Sequence, residues 1–178
     1  MKTLTLLRHA KSSWDGAAVR DFDRPLNRRG QRAARAMGRE MRMLGLHFDQ
    51  VIASPAARVV ETLRDVEEGY GGTLAAEFDR RVYLASAEAL LDLIHAARDD
   101  GASLLLAGHN PGLENLAMLL GGDGPLKAEI AVKYPTGTLT EVQFEVERWA
   151  DVSRGGGTIT RFIRPRDLDK ELGPDEES

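Results

Sequence analysis

Hydrophobic and polar positions along the chain follow two alternating rhythms. The opening run "KTLTLL" alternates and is apolar enough for a buried strand over about residues 2–7. A long polar loop follows, "RHAKSSWDGAAVRDFDRPLN", and long loops without structure of their own tend to carry function. From about 28 to 45 the period lengthens to that of a helix. Ala33, Met37, Met41 and Leu44 form its apolar stripe, Asn27 can cap it, and Gly45 ends it. "FDQVIAS" at 48–54 reads as a short buried strand. The next helix is expected to take Ser54 as N-cap and Pro55 at its first position. Its buried face is Val59, Leu63 and Val66, and glycines 69, 71 and 72 stop it.

The second half keeps the alternation and then changes it. A short strand fits 73–77, and Ser86 can cap a helix with Leu90, Leu91 and Ile94 inward. "ASLLLAG" at 102–108 is a fully buried strand, and a short helix follows with Asn110 capping and Pro111 at its first position. "TLTEVQFEVERWA" alternates as a strand with one exposed face, and "GTITRFIRP" can pair with it antiparallel across a Gly-rich turn. The predicted fold class is α/β: a three-layer sandwich, mostly parallel central sheet, helices on both faces and an antiparallel edge hairpin. One domain is expected over 1–165, with 166–178 a polar, loosely held C-terminal tail.

Composition narrows the function. The chain has 178 residues, 42% of them hydrophobic and 29% charged, enough to bury a real core. A net charge of −4 does not suggest a nucleic-acid surface. With no cysteine there are no disulfides, thiolate metal sites or cysteine nucleophiles, which suits a cytoplasmic protein. No apolar stretch approaches the roughly 20 residues of a spanning helix, and no signal peptide or membrane contact is expected. Without a repeat, a coiled-coil pattern or an adhesive edge, a monomer is expected.

Ligands of such sheets bind at the carboxyl ends of the strands. Three strand ends carry unusual chemistry: Arg8 and His9, then Ser54 through Arg58, then His109 and Asn110. Each cation alone reads as a surface residue, and each histidine alone as structural. Together, two arginines and two histidines would repel one another unless an anion joins them. Arg58, in the first turn of its helix, faces the positive end of the macrodipole, and a bound anion would reverse that penalty. Arg28 and Arg29 open their helix in the same way and read as solvated. The anion that suits paired guanidinium forks is a phosphoryl group. A neutral imidazole can attack phosphorus, and a second, if protonated, can stabilise the equatorial oxygens. No metal site is expected, because the arginines repel a dication and no matched carboxylate spacing occurs. No cofactor is expected.

"LRHAKSSW", "DFDRPLNRRGQRAA", "VIASPAARVVETL" and "LLLAGHNPGLENLA", in that order, resemble the histidine phosphatase superfamily, the phosphoglycerate-mutase-like group. Within it the chain is similar to the short SixA-type phosphohistidine phosphatases, over roughly residues 2–120 with a similar closing region through "RFIRP". The resemblance implies a His9 nucleophile, an Arg8 and Arg58 clamp, and His109 as the second pocket histidine. Backbone donors near Asn110 could assist, and Lys11 and Ser12 could reach the phosphate. Two departures stand out. Ala10 occupies a position where the family usually has glycine, and no glutamate matches the general acid of the larger members. Tyr83 and Ser86 stand in its place, and Asp15, Asp21, Asp23 and Glu88 are the candidate donors.

A site without a good acid favours a substrate that leaves without a proton, such as phosphohistidine, over alkyl esters. The expected activity is therefore metal-independent removal of a phosphoryl group, from protein phosphohistidine, through a covalent intermediate on His9. The alternatives are a phosphatase of small phosphomonoesters or nucleotides, and a weakly active phosphoprotein-binding module; mutase activity is least expected. The expected partner is a phosphorylated protein or a small phosphorylated substrate. Ser13 reads as a loop residue, Trp14 as a loop anchor, His47 and His95 as structural, and Trp149 as packing on the edge hairpin.

Overall fold

A computed structural model describes residues 1–14 and 20–173. Six strands form one sheet: β1 (Lys2–Arg8), β2 (Gln50–Ala53), β3 (Glu77–Phe78), β4 (Ser103–Gly108), β5 (Leu139–Phe144) and β6 (Gly157–Ile163). Their order is β3-β2-β4-β1-β5-β6. The first four run parallel, β5 is antiparallel to β1, and β6 is antiparallel to β5. This is the α/β sandwich with an antiparallel edge that the pattern predicts.

Alternating side chains on the inner strands feed two cores. Leu7, Leu105 and Ala107 face α1 (Arg28–Met43) and α2 (Ala57–Tyr70). Leu4, Leu6, Leu104 and Leu106 face α3 (Ala87–His95), α4 (Gly112–Leu120) and α5 (Pro125–Val132). Near-continuous leucine in β1 and β4 is what a strand buried on both faces requires. Asn27 caps α1 through its side-chain oxygen on the Gly30 N–H at 2.8 Å, and Ser86 caps α3 on Ala89.

Several expectations change. The helix expected from Ser54 begins at Ala57, with Ala56 before it and no side-chain cap, while Ser54 stays at the strand end. β5 is covered on both faces: Glu141 is buried and held by Thr160 and Arg161 of β6. The sheet's alternation therefore marked a strand but not a solvent face. Helix α5 was not legible in the sequence. Trp149 is fully buried in the core that also contains α3, with Lys2 over its ring. The chain after β6 is docked rather than loose as far as Leu172. Its short α6 (Pro165–Leu168) and the turn at 170–172 lie on α1, where Leu172 packs with Ala33 and Ala36. Among the described residues no helix is long and apolar enough to cross a membrane.

Candidate active site

Strand register builds the site. Arg8 pairs with Gly108 across β1 and β4, so the next residues, His9 and His109, leave neighbouring strands at the same height. Their ring centroids lie 5.4 Å apart. Ala53 pairs with Ala107, which brings Ser54 beside them, and its hydroxyl lies 2.7 Å from His109 Nε2. Arg58 enters from the first turn of α2.

His9 Nδ1 lies 2.7 Å from the Ala10 carbonyl. A carbonyl can only accept, so this bond assigns the proton to Nδ1 and leaves the lone pair on Nε2. The Ala10 N–H donates to Thr62 Oγ1, and the Thr62 hydroxyl donates to the Arg58 carbonyl, which ties the loop to α2. Ala10 is fully buried and is not among the residues with positive φ, so alanine fits at the position where the resemblance leads one to expect glycine. The loop is also seated on α1. A Cβ on Gly30 would stand 2.1 Å from the Lys11 carbonyl oxygen, so only glycine permits that approach.

Burial dominates the electrostatics. It holds the His9 pKa well below 6.5, despite the Ala10 bond, and the Arg8, His109 and Arg58 charges act in the same sense. Burial and then Arg58 lower His109 to about 3. Both rings are therefore held neutral near neutral pH. Ser54 Oγ accepts from the Ala56 N–H and can donate to His109 Nε2; in that arrangement the His109 ring proton sits on Nδ1. That Nδ1 is buried and has no hydrogen-bond partner.

The guanidiniums are held from behind. Arg8 donates to the Tyr134 carbonyl at 2.8 Å. Arg58, 2% exposed, donates to the Asp21 carbonyl at 2.7 Å and pairs with its carboxylate at 3.1 Å. Tyr83 donates its hydroxyl to the same carboxylate at 2.5 Å and sets its ring edgewise to His109. A cleft of about 290 Å³ gathers Arg8, His9, Arg58 and His109 with Lys11, Ser12 and Asn110. Every residue named from the sequence for phosphate attack or phosphate binding lines it. Asn110 also accepts from the Glu114 N–H and donates to the Tyr134 carbonyl, so it closes the start of α4.

Of the candidate acids among the described residues, only Asp21 is in the cleft. Burial opposes its ionisation, but the Tyr83 hydroxyl and the Arg58 guanidinium outweigh this and hold the carboxyl below 3.8. It is an ionised partner for Arg58, not a stored proton. Asp23 pairs with Arg20 at the surface, Glu88 lines a neighbouring groove, and Asp15 lies outside the described residues. Among the described residues, no group of three or more histidines and carboxylates could hold a metal ion.

Sequence reading missed four residues here: Thr62, Arg24, Leu84 and Thr136. It placed Ser54 at a strand end as a helix cap, and the bond to His109 was legible only once the register was known. Arg24 donates to Ser12 and stacks on Trp14, its guanidinium 3.6 Å from the ring centroid. Trp14 is 75% exposed at the cleft rim, so it is not the loop anchor expected. His95 meets the Val152 carbonyl at 2.8 Å, and His47 is exposed.

Residues 4–83 match the model of the histidine phosphatase superfamily (branch 1). An uncharacterised protein of Mycobacterium tuberculosis is 33% identical over 165 residues, which cover 90% of this chain and all of that protein. A protein of Nakamurella multipartitia assigned as phosphohistidine phosphatase SixA superposes with a TM-score of 0.80 at 28% identity, covering 92% of this chain and 96% of its own. A protein of Agrobacterium tumefaciens with the same assignment gives 0.77 at 29% identity, over 92% and 98%.

Proposed function

The chain belongs to the histidine phosphatase superfamily, SixA-type, and on that footing we propose that it is a metal-independent phosphatase acting on protein phosphohistidine. One observation carries this reading: a neutral imidazole with its lone pair on Nε2 stands beside a second imidazole and two guanidiniums around a single cleft.

Arg8 and Arg58 bind the phosphoryl oxygens, and the Nδ1–H of His109 donates to a third. The Nε2 lone pair of His9 attacks phosphorus as the bond from phosphorus to the substrate nitrogen breaks. The departing electron pair stays on that nitrogen. With its other ring nitrogen protonated, the product leaves as neutral imidazole and needs no acid. Phosphorylated His9 keeps its proton on Nδ1, facing the Ala10 carbonyl. Water then attacks phosphorus, the bond to Nε2 breaks, and both water protons leave on the phosphate as dihydrogen phosphate. Entry of the anion raises the proton affinity of both rings, because its charge offsets that of the arginines.

The ionised state of Asp21 supports the choice of substrate. An alkyl ester expels an alkoxide, and no described carboxyl in the cleft holds a proton for it. The test is a panel of a phosphohistidine peptide, an aryl phosphate and alkyl phosphates, with wild type and His9→Ala. The expected ranking has the phosphohistidine peptide first and alkyl phosphates last, with an acid-labile phosphoenzyme trapped in wild type alone. Faster alkyl turnover would point to a small-ester phosphatase. Absence of a phosphoenzyme with binding retained would point to a binding module.

A further inference from the structure

By its place at the start of α1, Arg29 reads as a solvated residue. The structure instead sets it, half-buried, in a shallow depression next to the catalytic cleft. Lys11 and Thr136 line both, so the two are continuous. Lys133, Arg164 and Arg166 complete the cationic rim. No carboxylate among the described residues lines it; Asp167, just outside, holds the Arg164 guanidinium at 3.0 Å. The floor is apolar, from Ala33, Pro135 and Pro165. In a chain of net charge −4, five cationic side chains are thus gathered at one side of the cleft.

We propose that this depression is a docking subsite for acidic side chains that flank the phosphorylated residue of a polypeptide substrate. The proposal rests on the phosphatase reading of the adjoining cleft and extends it to substrate choice. Its cations come from separate segments: the loop after β1, the start of α1, the segment after α5, and α6 with the residue before it. A single phosphate is gripped by converging donors, as in the cleft itself. Dispersed cations around an apolar floor suit carboxylates on methylene stems, which place charge at the rim and carbon below. The shared wall at Lys11 and Thr136 lets an extended chain run from one site to the other. Complementary charge of this kind orients a partner and speeds encounter more than it adds affinity.

The test uses the full chain and a fluorescent, unphosphorylated Asp/Glu-rich peptide, with its Asn/Gln counterpart as control. Anisotropy should show binding of the acidic peptide, weakened by salt, and about tenfold weaker binding of the control. Arg29→Gln with Arg166→Gln should weaken the acidic peptide about tenfold and lower kcat/KM on an acidic phosphopeptide similarly, as expected for partly exposed charges. Turnover of an aryl phosphate should not change. Arg166→Glu alone, at an exposed position, should act in the same direction and serves if the double variant folds poorly. Equal binding of the acidic peptide by wild type and both variants overturns the proposal. So does binding that emerges only after residues 174–178, with their three carboxylate side chains, are deleted. Tighter binding of a nucleoside triphosphate with the same sensitivity to the variants overturns the commitment to a polypeptide. The binding arm needs no turnover. If the phosphatase reading fails, both substrates are inert while peptide binding persists; if this proposal fails, aryl phosphate is hydrolysed without a peptide preference.

Discussion

Asp21→Asn separates two roles for the one carboxylate that the described residues place in the cleft. A general acid contributes about 10²–10⁴ to the rate, so its loss would be severe. The structure makes Asp21 a brace for Arg58 instead. The substitution keeps the main-chain bond from the Asp21 carbonyl to Arg58 at 2.7 Å, and keeps an oxygen that can face Tyr83 or Arg58. What it removes is charge. A charge-assisted hydrogen bond contributes about 1.5–3 kcal/mol, but the Asp21 side chain is 39% exposed, and solvent screening reduces this to about 1 kcal/mol. That corresponds to a loss of about fivefold in kcat/KM. Removing a negative charge from a cleft proposed to bind an anion offsets part of it. The assay is steady-state turnover of a phosphohistidine peptide, paired with thermal unfolding. A fall of more than about a hundredfold in a variant that remains folded would refute the brace and restore Asp21 as the acid. The same carboxyl has a linked effect on stability. Its pKa in the folded chain lies below 3.8, so its contribution is present above that value and is lost as pH falls through the folded one. Asp21→Asn should flatten the acid limb of a stability–pH curve.

Other outcomes follow from the same geometry. Ser54→Ala deletes the hydroxyl that faces His109 Nε2 and accepts from Ala56; kcat should fall about tenfold with little change in KM, and the melting temperature should drop by the equivalent of about 1–3 kcal/mol. His9 and His109 are buried with lowered pKa values, so the unfolded chain takes up protons below 6.5 that the folded chain refuses. Stability should therefore decline as pH falls from 6.5 towards about 3, by up to about 1.4 kcal/mol per pH unit for each ring, and denaturant titrations of wild type and His109→Asn should show a shallower slope in the variant. Gly30→Ala would push a methyl group into the Lys11 carbonyl; about 1–3 kcal/mol of stability should be lost by thermal unfolding, and turnover should fall with it as Lys11 and Ser12 shift.

The sequence by itself determined the layers and which side chains stand as candidates for the proposed chemistry. Leucine-rich β1 and β4 cannot be anything but covered strands, and the stripe of Met37 and Met41 or of Val59 and Leu63 must face them. Arg8, His9, Arg58 and His109 stand at strand ends or the first turn of a helix, where apolar periodicity stops, and that is visible without coordinates. Tertiary structure decided what those residues meet. Ser54 looks like a helix cap because cap preference is local, whereas its bond to His109 depends on β2 and β4 lying side by side. Asp21 looks like a proton donor until Arg58 and Tyr83, 37 and 62 residues away, close on it. The protonation states of both histidines also come from burial and neighbouring charge, which spacing along a chain does not encode. Periodicity reports which face of an element avoids water. Hydrogen-bond partners and electric fields arise only when distant segments are brought within a few ångströms.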